Sequence, residues 1–331
     1  MYIDKSGQFM YKKNLLVFLL GISFDMAYNG IEPMKRGIFV IFADPGQDLQ
    51  AVFDSAGPGE EIRLAAGDYH AKTVISTNGL TVRGAGADRT RIIWDDFAKK
   101  LDEDGVEYNT FRTWTLAVCA DGVTMEDLSI INSALHPETK GQEVALTVYG
   151  DRFAMERCRL TSTQDTLFLG PLPADLIERY DGFLPDLLRR DKPCSQRFTD
   201  CLIEGTVDFI FGCGSAVFDR CEIRSVYDVR KTGYAAAPAH PIEQAEGFVF
   251  RNCRFTAEEN VPPGSVYLAR PWRDHGLCVF RDCSYGDHIS PLGFDKWNDT
   301  RRDKTARFYE EPPAAGRVPW VREFPSARPD Q

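Results

Sequence analysis

Short runs of alternating or clustered apolar residues recur along the whole chain: "RGIFVIFA", "EIRLAAG", "GLTVRGAG", "TRIIW", "TLAVCA", "VTMEDLSIINS", "VALTVYG", "FAMERCRL", "FVFRNCRF" and "LCVFRDCSY". Each is strand length, rich in Val, Ile and Phe, and closed by Gly, Asp or Asn, the pattern of a short strand ended by a turn. Helical periodicity is scarce. It is confined to "DLQAVFDSA" near the start and to "PADLIERY", inside a stretch that reads as an insertion.

A second regularity sits on the strands. A polar pair, a cysteine, one residue and an apolar residue recur as "ERCRL", "TDCLI", "DRCEI", "RNCRF" and "RDCSY", with the cysteines 43, 20, 32 and 30 residues apart. Five occurrences in one phase argue against chance. A fixed strand unit at variable spacing predicts a solenoid of short parallel strands, whose coils share a core position while their loops differ in length. The cysteines then form a column of small, soft side chains along the inside.

Composition narrows the function classes. The 331 residues are 43% hydrophobic, enough for a sizeable core. A net charge of −10 argues against nucleic acid and against an anionic membrane surface. Nine cysteines show no CxxC spacing and five histidines form no HExxH, so thiols are the default and no metal or other cofactor is expected. Buried thiols favour a reducing, cytoplasmic compartment, with secretion as the alternative. The stretch "YKKNLLVFLLGISFDMA" has the charge and apolar length of a weak export signal, with Asp25 spoiling its cleavage site, and Met34 offers a second possible start. The expected layout is an N-terminal extension over residues 1–33, a solenoid over 34–310 and a Pro-rich tail over 311–331, packed through Trp320 and Phe324 or mobile.

Candidate chemistry lies in "TSTQDTLFLG" and "EGTVDFIFG". A surface turn is the plain reading of the first. Yet Asp165 follows Cys158 by seven residues and Asp208 follows Cys201 by seven, so the two carboxyls share one phase of the repeat. If residues 171–195 loop out, the pair sits on adjacent coils, one strand spacing of about 5 Å apart. Two carboxyls that close do not both ionise cheaply, which makes one an acid and leaves the other charged beside a cation. Arg270 in "YLARPW" is the candidate cation, and Trp272 offers a ring for a sugar. Gln142 precedes Gln164 by 22 residues, close to one coil, and brings a second amide to the same face. His136, His240 and His275 read as loop residues, and Tyr234 as either a cleft or a core tyrosine.

These motifs, "GQEVAL", "STQDTLF", "IEGTVDFIFG" and "YLARPW", in this order and with supporting stretches from residue 38 to 310, resemble those of the pectin methylesterases. The resemblance implies a right-handed parallel β-helix, no metal, and hydrolysis of methyl esters on homogalacturonan or oligogalacturonides, by a monomer without stable membrane association. It implies Asp208 as nucleophile, Asp165 as acid and then base, Gln142 and Gln164 as oxyanion donors, and Arg270 as partner of Asp208. Trp272, Phe168, Phe209, Thr113 and Trp297 are the candidate substrate contacts. Ala71, Phe168, Ala269 and Phe294 depart from the family pattern, where Glu, Tyr, Gly and Trp are usual, which bears on substrate preference more than on catalysis. Two other readings stay open: a glycosidase or lyase on the same scaffold, and a carbohydrate-binding solenoid without activity.

Overall fold

A computed structural model describes residues 39–184, 186, 192 and 194–323, together with the backbone of 2–3 and 9–10. The stretch read as a signal, Met34 and Phe324 lie outside the described residues. Apart from one two-stranded pair, the described strands form three parallel sheets of ten, eight and seven strands. Over most of their length, neighbours in a sheet stand three strands apart in sequence, because each coil adds one strand to each sheet. The fold is the expected parallel β-helix. Both predicted helices form, as Leu49–Ser55 and Ala174–Arg179.

Parallel pairing sets every core side chain over its counterpart one coil away. In the ten-stranded sheet Met125 pairs with Met155, then Phe198, Phe218, Phe250 and Phe280 follow in register. The four phenylalanine rings stack with centroids 4.9, 4.7 and 4.9 Å apart and interplanar angles of 13°, 9° and 12°. This is the strand-to-strand distance itself, so backbone pairing and ring stacking are satisfied by one geometry.

The cysteine unit is a corner. Arg157, Asp200, Arg220, Asn252 and Asp282, each preceding a motif cysteine, have φ of 52°, 53°, 53°, 54° and 52°. One left-handed residue swings the chain from the ten-stranded sheet into the eight-stranded one, and its polar side chain stays outside. The cysteine that follows turns inward. Its carbonyl receives an amide from the next coil, as in Leu202 to Cys158 at 2.9 Å and Glu222 to Cys201 at 2.8 Å. Its thiol donates to a carbonyl of an earlier coil, Cys201 to Met155 at 3.5 Å and Cys253 to Phe218 at 3.4 Å. A small side chain with a weak donor therefore fits this corner.

Both ends of the stack are closed. The helix Leu49–Ser55, N-capped by the Asp48 side chain, buries Leu49 and Phe53 against the first coils. Residues 311–323 pack against the last coil. The strand Arg307–Glu311 pairs with Leu277–Arg281, and Trp320 packs 5.6 Å from Phe308 and 6.3 Å from Phe294. Arg317 and Glu310 form a buried ion pair at 2.7 Å. Of the two expectations for this Pro-rich segment, Trp320 follows the packed one, because an apolar coil end left open would expose Phe294 and Phe308 to water.

Candidate active site

The seven-stranded sheet is the floor of the site. Leu167 pairs with Ile210, which sets Asp165 and Asp208 opposite one another on neighbouring coils. Both have left-handed backbones, φ 67° and 52°. The Asp165 amide donates to the Val207 carbonyl at 3.1 Å. After Val207 the pairing with the next strand slips, Val207 opposite Tyr234 but Ile210 opposite Ala236, so one extra residue bulges out. Bulge and left-handed turn together aim the Asp208 carboxylate outward from an otherwise buried strand. Gly205 lies close beneath, where a Cβ would meet Phe209 Cβ at 2.4 Å, Thr166 Oγ1 at 2.6 Å and the Thr163 carbonyl at 2.7 Å. No larger residue fits between the two turns.

Arg270 grips Asp208 with both prongs, Nε to Oδ1 at 2.8 Å and Nη2 to Oδ2 at 2.7 Å. Its guanidinium is itself sandwiched, 3.7 Å from the Tyr234 ring and 4.0 Å from the Trp297 ring. Two π faces and a bidentate carboxylate fix the plane of the cation. Burial works against the Arg270 charge, but Asp208 outweighs it and holds the guanidinium above its ordinary pKa. Both carboxyls are nearly shut off from water, 8% and 7% exposed. Burial, reinforced by the neighbouring Asp208 charge, raises Asp165 well above the usual carboxylate range. Burial raises Asp208 as well, opposed first by its two hydrogen bonds to Arg270. The proton of the pair therefore resides on Asp165, which has no such clamp.

Gln142 and Gln164 reach the same cleft. The coils that carry them are joined through Glu143, whose amide donates to the Gln164 carbonyl at 3.0 Å and whose carboxyl accepts from the Thr163 hydroxyl. Arg230, which the sequence reading did not single out, donates from Nη1 to Gln164 Oε1 at 2.9 Å. Its signal in the sequence is faint. An Asp-x-Arg pair in a charged loop does not announce a contact to a glutamine 66 residues earlier.

The cleft has a volume of about 590 Å³. Asp165, Asp208, Gln142, Gln164, Arg270, Trp272 and Trp297 all line it. The insertion forms one wall with Asp175, Leu176, Arg179 and Tyr180, and is tied back by Arg273, which pairs with both oxygens of Asp175 at 3.0 and 2.8 Å. Tyr234 serves the site from behind, as a face for Arg270.

Three expected substrate contacts do not line the cleft. Phe209 is fully buried in the solenoid core, because the turn at Asp208 reverses the alternation and sends the next side chain inward. Phe168 is fully buried in a second apolar cluster, covered by Phe111, Tyr149 and Phe211. Thr113 is buried as a backbone clip, its hydroxyl donating to the Thr110 carbonyl at 2.8 Å and accepting from the Val144 amide at 3.0 Å. The Ala269 methyl is buried in the core beside Phe294, away from the cleft. His136, His240 and His275 all lie in loops; His240 is buried there, and desolvation pulls it down to about 4.

A family model described as Pectinesterase matches residues 47–171 and 191–320, leaving out most of the insertion. The chain is 29% identical to the pectinesterase QRT1 of Arabidopsis thaliana over 308 residues, covering 86% of this chain and 73% of that protein. It is 30% identical to pectinesterase 31 of the same plant, covering 80% and 78%. Among solved structures, a pectin methylesterase in complex with a hexasaccharide matches with a TM-score of 0.69 at 26% identity, over 82% of this chain and 86% of that one. The pectin methylesterase from carrot matches with a TM-score of 0.71 at 24% identity over 89% and 91%, which bears on the fold alone. The relatives also overturn the cytoplasmic expectation: they are plant enzymes named for pectin, a polymer outside the cell membrane, which points to a secreted protein. The thiols behind that expectation are packed into the stack and carry no information on compartment. With the family model running on both sides of the insertion and the relatives aligned over most of their length, the chain belongs to the pectinesterase family, hydrolases of carboxylic esters.

Proposed function

We propose that the cleft hydrolyses the C6 methyl ester of a galacturonate unit in pectin or its oligosaccharides, with Asp208 as nucleophile and Asp165 as acid and then base. The observation that carries this reading is the unequal pair: one carboxylate clamped by Arg270, the other buried beside it without a cation of its own. An Asp208 oxygen attacks the ester carbonyl carbon, and the carbonyl oxygen takes the negative charge. The amide N–H groups of Gln142 and Gln164 face that oxygen and stabilise it more in the transition state than in the ester. As the tetrahedral centre collapses, the C–O bond to methoxide breaks, and Asp165 gives it the proton that makes methanol. Ionised Asp165 then takes a proton from water as the water oxygen attacks the anhydride carbonyl. Asp208 leaves as carboxylate and Asp165 is protonated again.

Trp272 and Trp297 frame the cleft, and Trp272 supplies a ring face for a sugar. The similar protein solved with a hexasaccharide supports a groove that takes several sugar rings. A glycosidase would also use two carboxyls, but two amides lining the same cleft beside them suit an acyl oxyanion rather than an oxocarbenium ion. Highly methylated pectin, assayed in parallel for methanol, new reducing ends and unsaturated products, decides among the readings; methanol alone should appear. Asp208→Asn should abolish its release. Asp165→Asn should still bind methylated oligosaccharide while turnover falls at least about a hundredfold, and normal turnover in that variant would remove the acid from the mechanism.

A further inference from the structure

We infer that Arg230, anchored by Asp228, is a positioning residue that fixes which face of the Gln164 amide meets the substrate. The inference rests on Gln164 being an oxyanion donor. An amide offers two nearly isosteric ends, an acceptor oxygen and a donor NH2, and only the second stabilises a developing oxyanion. A guanidinium has donors and no acceptor. The Gln164 atom 2.9 Å from Arg230 Nη1 is therefore the oxygen, and the NH2 end faces the cleft, where it also meets the Asp165 carboxyl and keeps a second N–H for the substrate. Rotated the other way, the amide would set oxygen against oxygen in the transition state and NH2 against a cation.

Arg230 has little freedom to release that oxygen. Asp228 is buried, and its Oδ1 accepts from the Arg230 amide at 2.7 Å and from Nε at 2.8 Å, while Oδ2 accepts from Nη2 at 2.5 Å. The carboxylate thus holds backbone and guanidinium together, and Nη1 is the prong that points to Gln164. A cation on the amide oxygen also polarises the group and makes its N–H a stronger donor. The residues lining the cleft do not include Arg230, whose contact with the site runs through Gln164.

The test is a double-mutant cycle on the full chain, reading kcat and KM for methanol release from methylated pectin. Arg230→Ala should lower kcat roughly ten- to a hundredfold with KM within about twofold, less than the hundredfold or more expected for Gln164→Ala. Arg230→Ala combined with Gln164→Ala should be no slower than Gln164→Ala alone, because the arginine then has nothing to orient. Arg230→Lys, which keeps one donor for the oxygen, should recover part of the loss. If the two losses multiply in the double variant, Arg230 acts elsewhere and the inference is overturned. Full activity in Gln164→Ala would instead sink the oxyanion reading itself. Should Arg230→Ala fail to fold, Asp228→Asn carries the same cycle: about a tenfold loss that vanishes in the Gln164→Ala background supports the inference, and a loss that persists there overturns it.

Discussion

Among the buried carboxyls around the cleft, Asp208 and Asp228 each have a bidentate arginine, whereas Asp165 and Glu143 have none. Asp208 has Arg270; Asp165 and Glu143 are raised by burial, Glu143 to about 7. One Glu143 oxygen accepts from Thr163, and the other is buried without a hydrogen-bond partner. Its folded pKa lies above the unfolded value, so its contribution to stability is complete below about pH 4.5 and is lost as pH rises through about 7. The full loss is about 3 kcal/mol. Glu143→Gln removes this titration, so denaturant unfolding should show the variant gaining on the parent as pH rises from 5 to 8. Parallel pH profiles for the two would mean that the carboxyl keeps its charge in the fold. At this scale the catalytic candidates were legible because both aspartates stand seven residues after a motif cysteine. Phe209 misled because a left-handed residue inside a strand reverses a period-two pattern without changing composition, and Thr113 because its hydroxyl is taken up by the backbone at the end of a short helix. Arg230 was hidden because its partner lies on another coil.

At the level of elements, the strand runs and both helices were legible in hydrophobic pattern alone. The cysteine unit was legible as a repeat, and its physical meaning is a corner: a polar residue at positive φ, then a small inward thiol. The ring ladder belongs to the same repeat, one step beyond the unit as read: Phe198, Phe218, Phe250 and Phe280 each stand three residues before a motif cysteine. The parallel register brings them into one stack despite the unequal loops between them. Phe218 is stacked on both faces, 4.9 Å from Phe198 and 4.7 Å from Phe250. Phe218→Ala should therefore cost about 3–5 kcal/mol, the range for a large ring removed from a core. Because the ladder is on the sheet away from the cleft, molecules that remain folded should keep the parent's KM. A loss under about 1 kcal/mol would show that neighbouring coils close the gap.

Over the whole molecule, the insertion and the solenoid have separate duties. The described residues between 173 and 193 supply no strand to the three sheets, yet Asp175, Leu176, Arg179 and Tyr180 form one side of the cleft. Replacing them by a short Gly-Ser link should leave the unfolding midpoint of the solenoid nearly unchanged while raising KM, with kcat for the bound ester largely kept. An equal fall in kcat would place the wall in the transition state rather than in substrate capture. The insertion was legible as an interruption of the repeat, but not its docking, which depends on Arg273 reaching Asp175 from a loop 98 residues later. The thiol column has a consequence of another kind. Cys158, Cys201, Cys221, Cys253 and Cys283 mark five successive rungs, four of them sealed from solvent. A sulfhydryl reagent reaches a sealed rung only when it opens, so the rate at which each thiol becomes modified maps where along its axis the stack first comes apart.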